Sequence, residues 1–260
     1  MMRRKMLMIA VFLLILALVA AAVYGGRQVY SDYRDNAAAD QIQEDKPAVN
    51  QVQEHDFSAD HTADHTDDTD EEKTTSSPLM DFSKIQGVNS EIIAWLTIPG
   101  TMIDYPVAQT DNNDYYLNHD MRKKANANGT LFLDYRAHAD FSDFSSVIYG
   151  HHMRSGRMFQ NLVKFKDKAF FDEHTAGMLY TPDKTWRLEI FAVTVVRADS
   201  ELYQYAFPSV SGRGAHLAMI REASMYYREI GVSADDRILL LSTCSYEYRD
   251  ARTILAARLS

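Results

Sequence analysis

One cysteine in 260 residues leaves no partner for an internal disulfide, which fits either a cytosolic protein or an extracytoplasmic one stabilised by its core. The chain also has no excess of base. With 27 Lys and Arg against 36 Asp and Glu, its formal charge is -9, and no basic patch in the sequence suggests nucleic acid. No nucleotide-binding or metal-ligand motif is present, so no cofactor and no metal is implied. Even the acidity is local. Residues 40–73 hold 12 acidic and 2 basic side chains, a charge of -10, and the remainder is close to neutral. Large apolar residues are almost missing from 31–77, which therefore read as a flexible, self-repelling stalk. His55, His61 and His65 lie among its aspartates as solvated side chains, because nothing there fixes a coordination geometry.

What the chain does have is an apolar run over residues 6–24, preceded by Arg3, Arg4 and Lys5. About 20 apolar residues span a bilayer as a helix, and cations before the run keep that end in the cytoplasm. Residues 1–30 thus read as a cytoplasmic tip and a single transmembrane signal-anchor helix, with everything after it outside the cell membrane. The small residues Ala20, Ala21 and Ala22 leave a cleaved signal peptide as the alternative; the length of the run favours the anchor.

Residues 78–260 form the folded part. With 46% apolar and 11% aromatic residues overall, a core of one large domain is expected. Phe82, Ile85, Val88, Ile92, Ile93 and Leu96 recur at helical spacing and predict one or two short helices. Short strands punctuated by Pro99 and Pro106 follow, then a turn and short helix over 111–117. Further strands are expected at 130–135, 146–152, 179–180 and 186–197, with a broken helix over 158–171 and a long amphipathic helix over 214–229. Many short strands with a few inserted helices argue for a mostly-β barrel or sandwich.

The last strand pair carries the chemistry. Ile238-Leu-Leu-Leu-Ser-Thr-Cys244 ends at the cysteine, and Arg252 heads the next apolar run eight positions later. A thiol on one strand and a guanidinium on its neighbour suit attack on a carbonyl, with the cation at the oxyanion or the substrate backbone. The plainer alternative is a buried cysteine acting as a small hydrophobe beside a surface arginine. A thiol nucleophile needs a proton-transfer partner. Of the nine histidines only His151 and His152 end an apolar strand, as Cys244 does, and strand alternation lets only one of them face a shared cleft.

Leu241-Ser-Thr-Cys244 with Arg252, and Tyr149-Gly-His151 upstream, resembles the sortases, cysteine transpeptidases of Gram-positive cell surfaces. The resemblance spans most of residues 82–259. It includes Trp95-Leu-Thr-Ile-Pro-Gly-Thr-Met-Ile-Asp-Tyr-Pro-Val107, Gly129-Thr-Leu-Phe-Leu-Asp-Tyr135 and Tyr149-Gly-His-His-Met153, and it is most like class B. Leu240 departs from it, standing where threonine is common. The resemblance implies an eight-stranded sortase-type β-barrel with N-terminal helices and a long helix before the Cys-bearing strand. It implies Cys244 as nucleophile, His151 as general acid/base and Arg252 as clamp, with Asn113, Leu117, Tyr149 and Ser242 at cleft positions. The implied reaction cleaves a surface protein's sorting signal, of Asn-Pro-x-Thr type, after threonine. A thioacyl enzyme forms and is resolved by a cell-wall precursor amine. A pilin-polymerising sortase using a lysine amine is the near alternative. An inactive membrane-tethered binding module is the distant one, and the intact His, Cys and Arg blocks argue against it.

Overall fold

The computed structural model describes residues 2–48 and 80–260. A long helix, α1 (Met2–Glu44), comes first, followed by a short α2 (Ser83–Val88). Next come β1 (Ile92–Thr97), β2 (Asp104–Ala108), β3 (Leu131–Leu133) and β4 (Ser145–Tyr149). A 3-10 segment (Phe159–Lys166) and α3 (Lys168–Glu173) lead to β5 (Ala176–Tyr180) and β6 (Thr185–Arg197). The chain ends with α4 (Val210–Ala223), β7 (Ser224–Tyr227), β8 (Arg237–Cys244) and β9 (Ala251–Leu259).

Eight strands close on themselves in the order β5-β1-β2-β3-β4-β8-β9-β6, with β6 returning to β5; β7 adds to the free edge of β6. Two pairings, β2–β3 and β4–β8, are parallel and the rest antiparallel. The expected mostly-β, eight-stranded barrel is therefore the fold.

Strand β8 shows why its sequence reads as an unbroken apolar run. Leu239 and Leu241 enter the barrel core, whereas Ile238 and Leu240 enter a second cluster with Phe207 and Ile220 beneath α4. Both faces are covered, so alternation disappears. Ser242 and Cys244 share the outer face of Leu240, and the departure at Leu240 is thus a fully buried packing position.

Three expectations need correction. Residues 92–96 are strand, not helix, because Ile92, Ala94, Trp95 and Leu96 are buried on both faces of β1 and mimic helical spacing. The long helix expected over 214–229 stops at Ala223. The aromatic Tyr226 and Tyr227 favour strand and pair with β6 where β5 has ended. The stalk expected from Ser31 is helical through Glu44, and this end of α1 lies on the barrel. Asp35, Ala39 and Ile42 are buried there. Arg157 pairs with Asp40 at 2.7 Å and Lys46 with Asp104 at 2.8 Å. Composition alone missed this because few, mostly polar contacts make the seam. Residues 49–77 of that segment, His55, His61 and His65 included, lie outside the described residues.

One glycine is dictated by backbone geometry. Gly129 has φ +62°, and a Cβ there would sit 2.4 Å from the Tyr116 carbonyl oxygen and 2.9 Å from that of Leu117. We expect Gly129→Ala to lower stability by at least the ~1–2 kcal/mol cost of a left-handed non-glycine residue. Chemical denaturation of the full chain in detergent micelles measures it, and a loss below about 0.5 kcal/mol would show that the loop relaxes freely.

Candidate active site

The site forms where the helical layer over β8 runs out. Cys244, the last residue of β8, is the direct cross-strand partner of Arg252 near the start of β9. Such pairs hold their Cβ atoms roughly 4.5–5.5 Å apart on one face, so thiol and guanidinium leave the sheet together. On the other flank Tyr149 of β4 pairs with Ser242 in parallel register, and the Gly150 N–H donates to the Ser242 carbonyl at 3.1 Å. His151 lies two residues beyond Tyr149, as Cys244 lies two beyond Ser242. The period of two puts both on the same side of the sheet. Gly150 itself allows the close approach, since a Cβ would meet Leu131 and Phe159 side-chain carbons at 2.4 and 2.7 Å.

A cleft of about 500 Å³ results. The structure brings all seven expected residues to its wall: His151, Cys244, Arg252, Asn113, Leu117, Tyr149 and Ser242. The His151 ring is fixed by its Nε2, which lies 2.6 Å from the Leu117 carbonyl oxygen. A carbonyl can only accept, so Nε2 carries the hydrogen, and Nδ1 is the ring atom left free to exchange a proton. Arg252 donates to the neighbouring Ala251 carbonyl at 3.0 Å and pairs with no carboxylate among the described residues.

Sequence reasoning missed the groups that hold this wall in place. Asp134 is buried, and its carboxylate receives hydrogen bonds from Arg136 at 2.7 and 2.8 Å, Tyr149 Oη at 3.0 Å and Asn113 Nδ2 at 3.2 Å. Burial alone would raise its pKa, but the Arg136 guanidinium and N–H, with the Tyr149 hydroxyl, hold it below the usual carboxylate range. Burial, with the Asp134 charge beside it, pushes the Tyr149 hydroxyl well up, so it stays a neutral donor. Tyr203 reaches in from the segment after β6 and exchanges a hydrogen bond with Ser242 Oγ at 2.8 Å. Burial raises its hydroxyl to about 12. Arg136, Tyr203 and Phe132 thus line the cleft beside the expected residues. Of these, Phe132 stood within a quoted motif block, whereas Arg136 and Tyr203 carried no local signal.

A Sortase domain model matches residues 96–260, well over half of the chain. The chain belongs to the sortase family. It is 36% identical to Sortase B of Listeria monocytogenes over 177 residues, which are 67% of this chain and 72% of that protein. The crystal structure of Clostridium perfringens sortase B superposes with a TM-score of 0.66 at 30% identity, covering 69% of this chain and all of that one. Sortase B of Bacillus anthracis gives a TM-score of 0.70 at 29% identity, covering 88% of this chain and 98% of that one. These likenesses make it a class B sortase, a cysteine transpeptidase. Among its described residues no group of three or more His, Cys, Asp or Glu side chains is placed to hold a metal.

Proposed function

We propose that this sortase is a membrane-anchored transpeptidase that cleaves a sorting signal of Asn-Pro-x-Thr type after threonine and joins the surface protein to a cell-wall precursor amine. The observation that carries the reading is the single cleft shared by Cys244, His151 and Arg252. Cys244 gives its thiol proton to His151 Nδ1, and the thiolate Sγ attacks the threonine carbonyl carbon. As the tetrahedral intermediate collapses, the C–N bond breaks, and the leaving amine takes its proton from His151 Nδ1. The Arg252 guanidinium faces the oxyanion. An incoming amine then attacks the thioester and gives a proton to His151 as the C–S bond breaks; the departing thiolate takes that proton back and the free thiol is restored. The Asp134-held wall of Asn113 and Tyr149, with Leu117 and Ser242, binds the residues before threonine.

The apolar N-terminal helix supports the same reading. In α1 one stretch is long and apolar enough to cross a membrane, with mean hydropathy 1.6. Leu14, Leu16, Leu18 and Val19 on it are about half exposed or more. A catalyst held at the outer leaflet meets lipid-linked amine and tethered substrate at an effective concentration roughly in the millimolar range.

The test incubates the full chain in detergent micelles with Asn-Pro-x-Thr-Asn and Asn-Pro-x-Thr-Gly peptides in which x is varied. Mass spectrometry should show the peptide, truncated at threonine, bound through the sole thiol. The adduct should be lost after iodoacetamide treatment and converted to a new amide when a wall-peptide amine is added. An adduct that only a lysine-bearing protein resolves would move the assignment to pilin assembly. No adduct with any peptide would remove the proposed signal.

A further inference from the structure

The second histidine of the Tyr149-Gly-His-His motif has no place in that reaction, yet it touches the nucleophile's backbone. His152 Nδ1 lies 3.0 Å from the Cys244 carbonyl oxygen. The carbonyl only accepts, so Nδ1 must carry a hydrogen and donate. The bond has a definite place in the sheet. In the parallel β4–β8 ladder the last backbone bond runs from Gly150 N–H to Ser242 O at 3.1 Å. Two residues on, the next donor toward Cys244 O should be the backbone N–H of residue 152. The chain has already turned away there: His152 bridges Met158, and the His151 carbonyl accepts from Phe159 N–H at 2.9 Å. The imidazole supplies the missing rung in place of the backbone. Its ring also packs on Tyr246, with centroids 5.1 Å apart.

Resting on the transpeptidase reading above, we propose that His152 is a positioning residue that extends the β4–β8 ladder by one side-chain bond. The bonds at 150–242 and 152–244 bracket His151, so the loop bearing the acid/base is fastened at both sides to the strand bearing the nucleophile. Displacements of about 1 Å between reacting groups can cost on the order of 100-fold in rate, so losing one of two fastenings should lower turnover without removing any reacting atom. A neutral ring with hydrogen on Nδ1 and an imidazolium both donate, so the rung is kept on protonation. A residue that itself exchanged a proton with substrate would instead change the shape of the pH profile.

Asparagine offers an amide N–H₂ at the position of Nδ1, whereas alanine offers nothing. The full chain and its His152→Asn and His152→Ala variants are compared in micelles with an Asn-Pro-x-Thr-Asn peptide that the chain cleaves. His152→Ala should lower kcat about tenfold with KM within twofold. His152→Asn should restore kcat to within about threefold, with the pH profile unchanged in shape. Equal kcat in all three proteins, or an asparagine variant as slow as alanine, overturns the proposal. A second measurement does not depend on activity. The nitrogen shifts of the His152 ring, read by long-range proton–nitrogen NMR, should report hydrogen on Nδ1 at alkaline pH, where a free imidazole favours Nε2. A ring with hydrogen on Nε2 overturns the proposal even if the peptide is cleaved. If no peptide is cleaved, the sorting-signal reading fails on its own and the ring tautomer still decides the rung.

Discussion

Arg252→Lys is expected to lower kcat for a sorting-signal peptide about 100-fold or more, with the barrel intact by circular dichroism. Removing one well-placed oxyanion donor typically costs on the order of 100- to 1,000-fold, or ~2.7–4 kcal/mol. Lysine keeps the charge but loses the planar fork that gives two parallel hydrogen bonds to carbonyl oxygens. The position leaves little room for compensation. Arg252 is opposite Cys244 in the β8–β9 register, and Arg136, the other arginine in the cleft, is committed to Asp134 at 2.7 and 2.8 Å. A loss confined to KM would mean that Arg252 holds the substrate backbone in ground and transition states alike. Near-normal kcat and KM for the lysine variant would remove Arg252 from the chemistry.

Parts of this site are legible in the sequence for a physical reason. Cys244 and Arg252 are eight residues apart across one tight connection, so an apolar run, a polar break and a second apolar run suffice to place them side by side. His151 is legible because strand phase is carried two residues past the end of β4. The cleft positions Asn113 and Leu117 came through resemblance alone. Leu117 ends a 3-10 turn (Tyr115–Leu117) before β3 and Asn113 precedes that turn, and no periodicity links them to Cys244. Asp134 stood inside the quoted block 129–135 without a role, and Arg136 and Tyr203 lay beyond either route. The partners of Asp134 range from 2 to 21 positions away, and Ser242 and Tyr203 are 39 apart. Hydrogen bonds over such separations leave no local pattern. The strand at 92–97 was misread for the opposite reason: burial on two faces imitates the spacing of a helix. The docking of α1 was invisible because its seam rests mainly on ion pairs and hydrogen bonds of Asp35, Asp40, Gln43 and Lys46, with Ala39 and Ile42 as its buried apolar residues, in a segment of acidic composition.

His216 should make this sortase acid-sensitive in a way unrelated to its chemistry. It sits on α4, 2% exposed, with its ring 4.6 Å from that of Phe207 and 6.2 Å from that of Phe144. Neither ring nitrogen has a hydrogen-bond partner. Burial lowers its pKa to about 4, against ~6.5 in an unfolded chain. Between those two values the unfolded state binds a proton that the folded state refuses. Unfolding free energy therefore rises with pH in that window. Above about pH 6.5 this proton-linked penalty is absent. As pH falls the penalty grows, and below about pH 4 it levels off at ~3 kcal/mol, from ~1.36 kcal/mol per unit. Replacing the ring with a side chain that cannot titrate should remove this component while carboxylates such as Asp134 keep theirs. Urea unfolding of the full chain and of His216→Leu at pH 7.5 and pH 5.0 isolates it. The wild type should lose about 2 kcal/mol more than the variant over that interval, the difference between ~6.5 and 5.0 converted at the same rate. Equal losses in the two proteins would mean that the folded state takes up the proton on His216, with water or a shifted α4 as its partner.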